Sequence, residues 1–180
     1  MAAVRLILVL LAALAWPATA RAQAEASELQ VKAAFLYKFG AYIEWPAGVF
    51  GGDQAPISIG VLGADDLADE LAQLSAGRNV NGRPIQVRKL KRGGPVAGVH
   101  ILFVGRSEEA RLAEVLAPVK GQPVLVVTDS EEALARGSMI NFVLVDDKVR
   151  FDVATAPAER GKLKISARLL AVARKVVGPT

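Results

Sequence analysis

The chain of 180 residues is 52% hydrophobic and carries a formal net charge of +4 at pH 7. This length is typical of a single domain that buries an adequate core, and so small a charge excess argues against a nucleic acid partner. The chain has no cysteine and one histidine, which excludes disulfides, thiol chemistry and the usual zinc sites.

The first residues have the pattern of a secretory signal peptide. Arg5 precedes an uncharged apolar run over residues 6–16, and small residues within positions 18–22 offer cleavage sites. The run is shorter than the ~20 apolar residues that a membrane span needs. The sequence therefore predicts a signal peptide over residues 1–22, with an uncleaved anchor as the alternative, and one exported domain over residues 23–180.

Residues 31–46 contain half of the aromatic residues of the chain. Phe35, Phe39 and Tyr42 are spaced by four and three positions, so a helix would place them on one face, with Trp45 three positions further. We predict that Phe35 and Phe39 turn toward the core. The side chains predicted to lie nearer to a partner surface are Tyr37, Tyr42 and Trp45.

Capping signals predict the ends of this aromatic helix. Ser27 and Gln30 have the spacing of a capping box, and Pro46 disfavours helical geometry in the residue before it. We therefore expect a helix from about residue 28 to residue 44.

The rest of the chain is predicted to alternate between strands and helices. Apolar runs predict strands over residues 57–62, 84–90, 99–104 and 124–128, and a hairpin over residues 140–153. The residues predicted to cap or open the intervening and final helices are Asp65, Ser107, Ser130, Thr155 and Ser166. The last of these helices is expected to extend through Val176.

This alternation predicts an α/β fold. We expect a single domain with a largely parallel central sheet of about five to six strands, helices on both faces and an antiparallel C-terminal hairpin.

No group of residues has the pattern of a catalytic, cofactor or metal site. His100 lies within an apolar strand, where a hydrogen-bonded structural role is expected. The glycines at positions 60 and 63 lack the third glycine of a dinucleotide fingerprint. Asp65 with Asp66 is explained by a helix start, and Asp146 with Asp147 by a hairpin turn. The sequence thus predicts no enzyme, no cofactor and no metal.

Two groups of basic residues remain. They are explained by a solvated face and a protected edge strand, or alternatively by an anionic partner or ligand. The groups are Arg83, Arg88, Lys89, Lys91 and Arg92, and Lys162, Lys164, Arg168 and Arg174.

Six segments, taken in order, resemble the YfiR/HmsC-like family of periplasmic proteins. They are EWP at 44–46, ISIGVLG at 57–63, VHILF at 99–103, MINF at 139–142, RFDV at 150–153 and LKISARLL at 163–170. The resemblance implies a non-enzymatic periplasmic α/β domain, often dimeric, that binds the periplasmic sensor region of an inner-membrane diguanylate cyclase. By holding the cyclase inactive, such a protein lowers cyclic-di-GMP and biofilm formation.

The candidate site residues come from the aromatic helix and from the resemblance. We expect this helix and its exit to present the partner or dimer surface through Tyr37, Tyr42, Trp45 and Pro46. The resemblance implies that a small ligand would contact Lys164, with Arg168 nearby. Val99 stands where many relatives have cysteine, so a disulfide switch is excluded here.

Two alternatives to this regulator remain. One is a periplasmic small-ligand receptor feeding a sensor kinase or transporter, with a pocket at the carboxyl ends of the parallel strands near residues 63–66 and 105–107. The other is a hydrolase, which would need His100 in a cleft beside a nucleophile.

Overall fold

The computed structural model describes residues 16–178, with side chains from residue 23 onward. Most of the predicted signal peptide lies outside the described residues. Between residues 16 and 178, no helix combines the length and the apolar character that a membrane crossing requires.

The aromatic segment begins as a helix and ends as a strand. Helix α1 spans Trp16–Phe39, a 3₁₀ turn follows at Gly40–Tyr42, and β1 is Ile43–Glu44. The predicted helix over residues 28–44 was therefore wrong at both ends. It ends at Phe39, directly before Gly40, which is a poor helix former.

The remaining elements alternate as predicted along most of the chain. The strands are β2 (Ile57–Leu62), β3 (Asn79–Val80), β4 (Arg83–Leu90), β5 (Ile101–Val104), β6 (Leu125–Thr128), β7 (Ile140–Val145), β8 (Lys148–Ala154), β9 (Lys164–Ile165) and β10 (Lys175–Val177). The helices are α2 (Asp65–Ser75), α3 (Leu112–Leu116), α4 (Thr155–Arg160) and α5 (Ala167–Val172), with 3₁₀ turns at Arg106–Arg111 and Ala117–Val119.

Eight strands form one sheet in the order β10-β8-β7-β6-β5-β2-β4-β3. The neighbours from β7 through β4 are parallel, whereas β8 is antiparallel to β7 and β3 to β4. The predicted α/β class is confirmed, although the sheet has eight strands, not five to six. β3 and β10 account for the excess, whereas β1 and β9 form a separate two-stranded sheet.

The sheet is covered on both faces. Gly40 at the end of α1 lies against Ile57 of β2 and Ile101 of β5. Successive side chains of a strand point to opposite faces, so Leu62 faces away from α1, toward the segment that contains α3. On the α1 face, Phe39 is fully buried and stacks against Phe142 with 5.8 Å between ring centroids.

Several predicted helix ends were wrong. Ser107 opens no α-helix, because its hydroxyl donates to the Gly63 carbonyl at 2.9 Å and residues 106–111 form a 3₁₀ turn. Residues 131–137, after Ser130, form turns, since Glu132 has a φ of 53° that an α-helix cannot contain. The cap of α2 is Ala64, whereas Asp65 is the first helical residue.

The C-terminal helix was predicted to extend to Val176 but ends at Val172. Ser166 caps it as predicted, with its hydroxyl accepting from the Leu169 N–H. The chain then forms β10, because the Arg174 N–H donates to the Phe151 carbonyl at 2.9 Å and the Arg174 guanidinium pairs with Asp152. Arg174 therefore holds an edge strand in place and does not interact with a helix end.

Candidate functional site

The two ends of the domain meet in the β1–β9 ribbon, formed by residues 43–44 and 164–165. Ile43 pairs with Ile165 and Glu44 with Lys164 in an antiparallel register. The Ser166 N–H extends this pairing by donating to the Tyr42 carbonyl at 2.9 Å. The ribbon thus joins the first and the last segments that carry the family resemblance.

The predicted ligand residues lie on the outside of this ribbon. The Lys164 side chain is 82% exposed, and its Nζ lies 3.7 Å from Oε2 of Glu44, which is 72% exposed. Arg168 is exposed on α5. Neither cation lines a described pocket, so their role in ligand binding stays a prediction.

Trp45 follows the ribbon and joins an aromatic cluster with Phe50 and His100. The ring centroids of Phe50 and His100 are 4.6 Å apart, and that of Trp45 is 5.7 Å from Phe50. The guanidinium of Arg83 lies 4.2 Å above the Phe50 ring, a cation–π geometry. Trp45 is half-buried, and its indole N–H finds no acceptor among the described residues.

The four residues predicted for the partner surface do not form a single group. Tyr42, Trp45 and Pro46 lie at or next to the ribbon and are half-buried. Tyr37 turns instead toward β3, where its hydroxyl donates to the Asn79 carbonyl at 3.1 Å.

His100 has the structural role that the sequence predicts. Its Nδ1 accepts from the Ser58 N–H at 2.9 Å, and its backbone N–H donates to the Ser58 carbonyl at 2.8 Å. Burial lowers the pKa of His100 from its ordinary value of 6.5; a hydrogen bond with the Val49 backbone opposes this, and the charge of Arg83 adds to it. The imidazole is therefore held neutral and serves β2 as an acceptor.

The crevice predicted for a ligand at the carboxyl ends of β2 and β5 is closed. Gly105 approaches Gly63 so closely that an added Cβ would lie 2.5 Å from the Gly63 carbonyl oxygen. Ser107 and Glu108 also pack against Gly63. A pocket of about 710 Å³ lies elsewhere, between residues 93–100 and residues 111–124.

A buried charge network was not predicted. Lys32 of α1 is 5% exposed, and its Nζ lies 2.7 Å from Oδ2 of Asp129 and 2.6 Å from Oε1 of Glu28. Arg106 approaches the same two carboxylates at 3.8 and 3.9 Å. The four-residue spacing of Glu28 and Lys32 was a local signal of this network, but Asp129 lies too far along the chain to be linked with it.

Most of the first basic group is engaged within the fold. Arg83 donates to the carbonyls of residues 52 and 55, and Arg88 to those of residues 97 and 98. Lys89 pairs with Asp69, and Arg92 with Glu108. These contacts favour the structural reading of this group over an anionic partner surface.

Acidic and imidazole side chains do not gather into a metal site in the part of the chain that the structure describes. The candidate site consists of the β1–β9 ribbon with its exposed Glu44 and Lys164, the aromatic cluster beside it and the apolar pocket that His100 also lines.

Comparison with known proteins identifies the family. The YfiR/HmsC-like family model matches residues 29–174, so the chain belongs to this family. At the family level, these proteins are periplasmic regulators of diguanylate cyclases.

A solved structure of a conserved domain protein from Vibrio cholerae O1 biovar El Tor strain N16961 is similar in fold. The TM-score is 0.51 at 13% sequence identity, and the match covers 67% of this chain and 54% of the other. The chain thus spans about half the length of that relative, and the likeness supports the fold alone.

Proposed function

We propose that this protein is a non-enzymatic periplasmic regulator that binds the periplasmic sensor region of an inner-membrane diguanylate cyclase and represses it. Membership of the YfiR/HmsC-like family over residues 29–174 carries this proposal. Repression would lower cyclic-di-GMP and biofilm formation, and loss of the contact would restore both.

The proposed contact surface is the β1–β9 ribbon with its flanking residues. Half-buried aromatic and proline side chains beside exposed charges are common in protein interfaces, where the buried groups supply affinity and the rim charges supply orientation. Here Tyr42, Trp45 and Pro46 would be the half-buried part, and Lys164 and Arg168 the cationic rim. Tyr37, whose hydroxyl donates a hydrogen bond to β3, would support this surface indirectly by holding α1 in place.

Charge reversal on the exposed rim tests this surface without disturbing the core. Lys164→Glu and Arg168→Glu should weaken repression, because each replaces a rim cation by an anion. Lys148→Glu, at the exposed hairpin turn of β7 and β8, is the matched control. The measurement is cyclic-di-GMP and biofilm in a deletion strain complemented by each variant.

The outcomes separate the function from the surface. Unchanged cyclic-di-GMP and biofilm in the deletion strain would argue strongly against the regulator itself. A deletion that raises both, together with rim variants that repress like the unaltered protein, would support the regulator and reject the ribbon as its contact surface.

We further propose that the protein forms a homodimer, which analytical ultracentrifugation of the purified protein would detect.

The second candidate is a periplasmic small-ligand receptor feeding a sensor kinase or transporter, and the pocket of about 710 Å³ favours it. Crosslinking in the periplasm distinguishes the two. Capture of a kinase or transporter, with cyclic-di-GMP unaffected by the deletion, would support the receptor, whereas capture of a cyclase would support the repressor.

A further inference from the structure

The pocket of about 710 Å³ lies on the face of the sheet that is turned away from α1. Leu62 of β2 lines it, whereas the α1 face is contacted through Ile57 and Ile101. The pocket is bounded on one side by residues 93–100 and on the other by α3 and the turn after it. Its volume is within the range of small-molecule sites.

Small residues leave this space open. The loop before β5 supplies Gly93, Gly94, Ala97 and Gly98 to the pocket wall, none of which can fill it. The loop is fastened to β4, because Arg88 donates to the carbonyls of Ala97 at 3.2 Å and Gly98 at 3.3 Å. This part of the wall is therefore held in place by hydrogen bonds, although its three glycines and Ala97 contribute almost no side-chain volume.

The side chains that line the pocket are mostly aliphatic. His100 supplies the only ring among the lining residues apart from prolines, so stacking on phenyl or indole groups is not available there. The main aliphatic lining residues are Leu62, Val96, Val99, Val115, Val119 and Val124.

The charges at the rim are already paired. Arg111 binds Glu114 through two hydrogen bonds of 3.0 and 2.8 Å, and both residues line the pocket. Arg111 also lies 3.8 Å from Glu108, which Arg92 neutralises at 2.6 Å. Because burial holds the pKa of His100 below its ordinary value, the imidazole adds no charge near neutral pH. An ion in the pocket would find no unpaired counter-ion among these rim residues, and burying it would be costly.

We propose that this pocket binds an uncharged, mainly aliphatic small molecule. The valines and Leu62 contact its apolar body, and Gln122 at the rim supplies a donor and an acceptor for one hydroxyl or carbonyl group. This site goes beyond the proposed regulatory function and is independent of which membrane protein the domain contacts.

Displacement of a neutral dye tests the ligand class. The purified protein is titrated with N-phenylnaphthylamine, and the dye is competed by 1-decanol, decanoate or decyltrimethylammonium, which share one chain and differ in charge. Decanol should displace the dye at a concentration about tenfold lower than decanoate or decyltrimethylammonium does. Each of these ions would lose the hydration of its charge on binding without gaining a counter-ion. Absence of dye binding, or equal or better displacement by an ion, would overturn the proposal.

A variant that fills the pocket tests the location. Ala97→Trp places an indole in the wall and should weaken dye binding about tenfold, whereas Ala171→Trp, at an exposed position on α5 away from the pocket, should leave it unchanged. Equal binding by both variants would contradict the assignment.

Methyl NMR of the unaltered protein keeps the location testable if Ala97→Trp does not fold. With valine methyl groups labelled, decanol should shift the signals of Val96, Val99 and Val115. The exposed valines at positions 172, 176 and 177 provide the contrast. Shifts confined to those exposed valines would place the ligand on the C-terminal surface and refute the pocket.

Discussion

Removing the positive charge of Lys32 should destabilise the domain more than the same change at Lys38, the other lysine of α1. The Nζ of Lys32 lies within 2.7 Å of carboxylate oxygens of both Glu28 and Asp129. Lys32→Met keeps most of the aliphatic stem but leaves the two carboxylates facing each other. The mostly buried Asp129 then keeps only Arg106, at 3.8 Å, as a nearby cation, and its Oδ1 already lacks a hydrogen-bond partner in the described structure.

The expected cost is about 3 kcal/mol, the lower end of the range of roughly 3–5 kcal/mol for breaking a buried ion pair from one side. The lower end is appropriate because Arg106, which is largely exposed, lies 3.8 Å from Asp129 and can move closer. Replacing Asp129 as well should recover part of the loss, since the uncompensated carboxylate is then gone. The informative double variant is Lys32→Met with Asp129→Leu.

Urea unfolding measures this free energy, and Lys38→Met is the matched control. Lys38 belongs to the same helix but is exposed, so its replacement should change the free energy of unfolding by no more than about 0.5 kcal/mol. If Lys32→Met were no more destabilising than Lys38→Met, the network would not hold α1 to the sheet. A double variant less stable than Lys32→Met alone would contradict the electrostatic reason.

Three further predictions concern the core, the histidine and a close backbone contact. Phe39→Ala should cost about 3–5 kcal/mol in urea unfolding and Phe35→Ala less, because only Phe39 is fully buried; equal losses would contradict this ranking. The lowered pKa of His100 means that its contribution to stability is complete above pH 6.5 and is lost as the pH falls through the lower pKa of the folded state. His100→Phe should therefore flatten the fall in unfolding free energy between about pH 7 and pH 5, and an equally steep fall would refute the assignment. Gly105→Ala should cost about 1–3 kcal/mol, since its Cβ would lie 2.5 Å from a backbone oxygen of the β2–α2 loop; Gly51→Ala, which has open space around it, should be nearly neutral, and equal unfolding midpoints would count against the contact.

The parallel strands could be predicted because both of their faces are buried. A strand of this kind appears in the sequence as a short, nearly continuous apolar run, and β2 and β6 match their predicted runs to within one residue. The turn of the β7–β8 hairpin was equally local, since Asp146 and Asp147 adopt the positive φ values that such a two-residue turn needs. Local chemistry was sufficient for both kinds of element.

Helix boundaries could not be predicted where a side chain has a tertiary partner. A serine before an apolar segment predicts a helix cap, and Ser166 behaves in this way. The hydroxyl of Ser107 is used instead to bond the loop after β2. Likewise, Arg174 would suit a helix end, but its salt bridge with Asp152 and its backbone bond to β8 place the chain in a strand. Each competing partner is distant in sequence, so the local pattern carries no trace of it.

The candidate site could be predicted even less well, because it is formed by segments that are far apart in the sequence. The resemblance named the segments around Trp45 and Lys164 separately, but their pairing as β1 and β9 joins opposite ends of the domain. The rule that ligands bind at the carboxyl ends of parallel strands placed the pocket near Gly63 and Gly105. Those glycines instead let two backbones touch and close the crevice, and the open space lies beside a loop whose small residues cannot fill it. Glycine thus closes the space where a second backbone segment packs against it, and leaves the space open where none does. Which of the two occurs depends on the position of a segment that is distant in sequence.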